Sequence, residues 1–143
     1  MKGFLIHTLI VGISYLSGVI FYKAAMHLLA IPKNSEIDLL YPWITIFFIF
    51  FALPIYYVLN LFLRFFKFRS MVTSTILKTA VLVVFSLFSA IMVPFIFGGF
   101  GYLGTREFFF SEFAIILYSF FIGTSAIFSI CSSVAENYHN KPM

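Results

Sequence analysis

Arg64-Phe65-Phe66-Lys67-Phe68-Arg69 lies at the middle of the chain and packs three of its nine Lys and Arg residues into six positions, between two long apolar runs that carry almost no charge. A basic break between two such runs reads as a membrane-facing hairpin, because cationic residues resist translocation. Lys78 stands close enough to the start of the next run to snorkel back to the same interface. Arg64, Lys67, Arg69 and Lys78 are therefore assigned to topology and lipid headgroups.

The flanking composition supports that reading. Of 143 residues, 62% are hydrophobic and only 10% charged, with 22 Phe, whereas a soluble domain carries about 25% charged residues. Four apolar runs of roughly 20 residues are each long enough to cross a ~30 Å hydrocarbon layer at about 1.5 Å per residue. The fold expected is all-α: a polytopic membrane protein built as a bundle of four transmembrane helices, at about 4–30, 44–63, 75–97 and 113–135, forming one membrane domain over 1–143. The first run, Phe4 to Tyr22, exceeds the ~7–15-residue core of a signal peptide, and Pro32 stops the helix it begins. Ser35 to Asp38 resembles a capping-box start, and Tyr41 and Trp43 form an aromatic belt. Pro54 should kink the second helix near Phe50 to Pro54.

Counting cations sets the direction. With the hairpin in the cytoplasm, Lys2, Arg64, Lys67, Arg69, Lys78 and Lys141 lie inside, and Lys23, Lys33 and Arg106 outside. The positive-inside rule then places both termini in the cytoplasm, with Glu136 the one acid inside. The net charge of +4 sits at segment ends, which matches anionic lipid and not nucleic acid.

Little hydrophobic force draws helices together within lipid, so small and polar residues mark where they meet. His7, Val11, Ser14, Gly18, Phe21 and Ala25 share a stripe of the first helix, with Lys23 and His27 opposite. Thr75, Thr79, Leu82, Ser86, Ser89 and Val93 share one on the third. On the fourth, Ser119, Gly123, Ala126 and Ser133 line up, widened by Ser125, Ser129 and Ser132. Close crossings are expected at Ser14-x-x-x-Gly18 and Ser119-x-x-x-Gly123. Helix packing or a partner interface is thus assigned to Ser14, Gly18, Ser119, Gly123 and Ala126. His7, Tyr56, Asn60, Thr79 and Ser129 fall in the cytoplasmic half and are expected to form a buried polar cluster. His7 stands out among them, since an ionisable group in a membrane run is costly unless paired or wet; the plain alternative is a structural bond to Tyr56 or a hydroxyl.

Chemistry is hard to find. Gly99-x-Gly101-x-x-Gly104 matches a dinucleotide fingerprint as a string, but it follows a membrane helix and lacks a βαβ unit, so it reads as a turn or flexible loop. Cys131 is the one cysteine, and no Ser/His/Asp, Cys/His or metal-ligand spacing occurs. Neither enzyme activity nor any cofactor or metal is expected. No Asp or Glu falls within the hydrophobic core of a span, which weighs against carboxylate-coupled antiport.

In size and four-span layout the chain is similar to several unrelated groups of small bacterial inner-membrane proteins, among them immunity proteins against pore-forming bacteriocins and entry-exclusion proteins of conjugative plasmids. The resemblance is one of architecture and carries no motif residues. It implies a non-enzymatic protein of the bacterial inner membrane that binds a partner membrane protein, or its own copies, through helix faces, as immunity, exclusion or accessory subunits do. A second reading is a small oligomeric transporter or channel with a polar pathway near His7, Tyr56 and Asn60 and a hinge at Pro54. A third is recognition of anionic lipid, or a membrane-embedded carrier, by the 64–69 hairpin.

Overall fold

The computed structural model describes residues 2–30, 41–66, 70–98 and 109–139, with side chains over 5–30, 41–63, 65–66, 70, 72–93 and 109–137. Four helices, α1 to α4, carry a stretch long and apolar enough to cross a membrane, and no strand occurs among the described residues.

Helix α1 spans Lys2–Leu28. It ends slightly short of the expected 30, with Ala30 in the left-handed region at φ 52°. Ile31 precedes Pro32, and the residue before a proline is disfavoured in helical geometry.

Helix α2 runs over 41–64 in three parts: Tyr41–Phe47, a π-helical turn Phe48–Ala52, and Leu53–Arg64. It begins before the expected residue 44 because Pro42 lies in the first turn, where a missing N–H leaves nothing unsatisfied. The disturbance expected near Phe50 to Pro54 takes the form of that π turn. The Leu53 N–H donates to the Phe48 carbonyl, five residues back, just before Pro54. The wider turn accommodates the donor that proline lacks.

Helix α3 spans Met71–Gly98 and α4 spans Glu112–His139. Both start with serine caps that lengthen them beyond their apolar runs. The Ser70 hydroxyl accepts from the Thr73 N–H (3.2 Å) and the Ser111 hydroxyl from the Ala114 N–H (3.1 Å), satisfying donors that a first turn otherwise leaves orphaned. At its far end α4 continues past Ala135, which brings Glu136 onto the helix.

Packing centres on α4. Of its most apolar stretch 56% is buried, against 22% for α1 and 33% for α2 and α3. Helices α1 and α3 both lie along it, and α2 meets α3 and α4 through its backbone neighbours and α1 through side chains. Aromatic rings fill the middle: Phe48 of α2 meets Phe120 of α4 edge-on at 6.0 Å, Phe120 meets Phe121 at 5.2 Å, and Tyr57 meets Phe128 at 5.2 Å. Tyr15 of α1 joins this group through Phe48 and Phe120. Its hydroxyl donates to the Tyr41 hydroxyl (2.9 Å) and lies 2.8 Å from Thr45 Oγ1, tying α1 to the start of α2.

Candidate functional site: buried polar groups between α2, α3 and α4

An apolar chain that buries a charge must pair it, since an isolated ion in a low-dielectric interior is prohibitively costly. Glu136, near the end of α4, is the residue that does so. Its Oε2 accepts from the Lys78 ammonium of α3 at 2.6 Å, and its Oε1 accepts from Asn60 Nδ2 of α2 at 3.1 Å. One carboxylate thus joins three helices. Lys78 and Asn60 are each 4% exposed, and the Glu136 side chain is 20% exposed, so water reaches the carboxylate and hardly reaches its partners.

Above this triad a ladder of hydroxyls runs up the seam between α3 and α4. Thr79 Oγ1 lies 3.0 Å from Ser129 Oγ while also bonding the Thr75 carbonyl at 2.8 Å. Further along, Ser125 donates to Ser86 at 3.2 Å, and Ser86 donates to the Val83 carbonyl at 2.7 Å. From α2, the Tyr56 hydroxyl lies 3.0 Å from Thr124 Oγ1 and 3.3 Å from the Phe121 carbonyl. Hydroxyls bonded back to their own helix satisfy themselves before the helices meet, so each rung adds a modest amount, on average about 0.6 kcal/mol in membrane helices.

Four of the five polar residues expected to cluster do take part, although as two groups: Asn60 in the triad, and Tyr56, Thr79 and Ser129 in the ladder. His7 belongs to neither. It is exposed on α1 with its ring tilted against Tyr57 at 5.7 Å. Lys78 departs from its expected role as well. It turns inward onto Glu136 instead of snorkelling to headgroups, because the carboxylate offers a partner closer than the helix end. The side chain of Arg64 is not described, and Lys67 and Arg69 lie outside the described residues, as do the 35–38 turn and the Gly99-x-Gly101-x-x-Gly104 loop.

The residues assigned to helix packing divide similarly. Ser14 is fully buried and donates to the Ile10 carbonyl at 2.6 Å. At Gly18 a Cβ would overlap Thr124 Cγ2 and stand 3.0 Å from Phe120, and at Gly123 one would stand 2.9 Å from the Phe21 ring. Both glycines therefore serve the α1–α4 crossing. Ser119 is partly exposed and bonds its own Ile115 carbonyl, and Ala126 is half-buried. The breadth of the small-residue face on α4 is accounted for by its two neighbours in the same chain, α1 and α3.

Glu136 and Thr124 are the members that sequence reasoning left out. Glu136 entered the charge count alone, as the one acid inside and beyond the expected helix end at 135, yet 125, 129, 132 and 136 continue one helical face with alternating steps of four and three, and that spacing carries the signal. No protein-family model, no curated protein and no solved structure matches this chain.

Proposed function

We propose that the chain is a non-enzymatic, multi-pass protein of the bacterial inner membrane, a four-helix bundle with both termini cytoplasmic, that acts by binding a partner membrane protein through the outward face of α1. The observation that carries this is Gly12. It faces outward on α1, and a Cβ built there meets nothing within 4 Å. Intrachain packing requires Gly18 and Gly123 and does not require Gly12. A glycine within a helix costs about 1 kcal/mol relative to alanine, and its usual return in membranes is the close approach of another helix. Thr8, Leu16 and Lys23 lie on the same side, so the face combines a flat centre with a cation toward its outer end.

A second copy of the chain is the alternative occupant. The test is Gly12→Leu in the full-length protein, with membrane insertion, thermal stability and co-purification after gentle detergent extraction measured together. Loss of a co-purifying membrane protein, or of self-association, with no loss of insertion or stability supports the reading. Unchanged complexes in the variant refute it. The transport reading draws on the triad, in which a carboxylate meets Lys78 and Asn60 between the helices. Solute flux in reconstituted vesicles, compared with a Glu136→Gln protein, separates the two readings; flux no higher than in empty vesicles counts against transport.

A further inference from the structure

We propose that the π turn Phe48–Ala52 is a register switch, at which the first part of α2, Tyr41–Phe47, turns relative to Leu53–Arg64 and lets go of α1. The spacing of the buried residues is the starting point. Ile44, Phe48, Ala52, Tyr56 and Asn60 are all buried and recur every four positions. In an unbroken α-helix that spacing drifts by about 40° a step, or about 160° from Ile44 to Asn60, so the two ends could not share a face. The π turn absorbs one extra residue, about 100° of rotation, and brings the ends within about 60° of each other. The turn therefore sets which face the first part of α2 presents to the bundle.

That first part carries a second set of residues in phase with the same core. Counted back from Ala52 along an unbroken α-helix, Phe48, Thr45 and Tyr41 follow at steps of four, three and four, a regular helical seam. Closing the π turn into α-helix points these three inward and moves Ile44 and Phe47 off the core. The exchange costs little hydrophobic energy, because lipid tails are as apolar as the side chains released to them. Two features hold the present register. Pro54, two residues past the π turn, has a ring that clashes with the carbonyl four residues back in a regular α-helix. Tyr15 of α1 is the other: its hydroxyl donates to that of Tyr41 at 2.9 Å and lies 2.8 Å from Thr45 Oγ1. Those bonds keep Tyr41 and Thr45 on the α1 side, and in the second register both leave it. The Tyr15 ring also meets Phe48, so α1 bears on the turn itself. This inference stands apart from the proposed partner surface on α1.

Trp43, the chain's one tryptophan, rides on the first part of α2 and is 47% exposed. In the second register it stands nine residues before Ala52 with no extra residue absorbed, about 180° away and turned fully to lipid. The test is quenching of Trp43 fluorescence in the full-length protein, reconstituted in phosphatidylcholine vesicles with and without brominated acyl chains. Tyr15→Phe keeps the ring and removes the hydroxyl. The quenched share of emission should rise, toward a limit of about two-fold as exposure goes from 47% to complete. Pro54→Leu should raise it as well, and the two changes together should raise it most. A chain lacking Phe50, the most exposed residue of the turn at 68%, has no extra residue to absorb and keeps the present face without a π turn. In that chain Tyr15→Phe should change nothing. Quenching in Tyr15→Phe equal to wild type overturns the proposal, and so does a rise of the same size in the chain lacking Phe50. If the shortened chain does not insert, Thr45→Val replaces it: a rise in the same direction as in Tyr15→Phe supports the switch, and no rise overturns it.

Discussion

Replacing Glu136 with alanine tests whether the triad holds α2, α3 and α4 together. The change removes the acceptor 2.6 Å from Lys78 and the one 3.1 Å from Asn60. It leaves an ammonium that is 4% exposed without a counter-charge. Breaking a buried pair from one side costs roughly 3–5 kcal/mol. Because the Glu136 side chain is 20% exposed, water can follow into the space, so the expected loss lies near the lower end, about 3 kcal/mol. Removing both charges should be far milder, since apolar replacement of a whole buried pair is commonly neutral or stabilising. The double variant Lys78→Met/Glu136→Leu is therefore expected within about 1 kcal/mol of wild type. Reversible unfolding of the purified protein in mixed micelles, followed by Trp43 fluorescence, gives all corners of the cycle. A loss below about 1 kcal/mol for Glu136→Ala, together with additivity of the two single changes, would refute the reasoning.

The crossing of α1 and α4 gives a second expectation. Gly18→Leu, driven against Thr124 and Phe120, and Gly123→Leu, driven against Phe21, should each cost about 1–3 kcal/mol by the same unfolding assay. Gly12→Leu, which meets nothing, should lose no stability and gain up to about 1 kcal/mol from helix propensity. Equal losses at all three glycines would contradict the crossing. Orientation is read with reporter tags: one inserted after Arg69 is expected in the cytoplasm and one after Gly104 outside. The reverse pattern inverts the protein in the membrane and leaves every internal contact unchanged.

The number and position of the membrane-length helices were legible because hydrophobic length needs only composition. Their ends were less so. Ser70 and Ser111 extend α3 and α4 by hydrogen bonds that owe nothing to hydropathy, and Pro42 extends α2 by fitting a first turn. Inward faces were legible in part. Ser14, Gly18, Gly123 and Ser129 are all buried, since small and polar side chains at helical spacing mark a contact whichever helix supplies the other side. Periodicity gives a direction around one helix axis and no partner across the gap, so it could not tell a crossing within the chain from a surface meant for another protein. That is why Gly123, assigned to helix packing or a partner interface alike, sits on Phe21, while among the described glycines the one with open space is Gly12 on α1.

Lys78 and Glu136 show the same limit for charge. Read along the sequence, one is a snorkelling cation and the other an acid counted on the cytoplasmic side. A 2.6 Å bond between α3 and α4 joins residues 58 positions apart, a separation that reading along the chain does not bridge. Once joined, the two charges change what the interior is. The polar groups of α2, α3 and α4 meet one another in separate pairs and a triad, from Glu136 with Lys78 and Asn60 to Thr79 with Ser129 and Ser86 with Ser125, and these bonds lie between helices of the chain itself. On the outward surface, Gly12 is, among the described glycines, the one whose presence the chain's own packing does not explain.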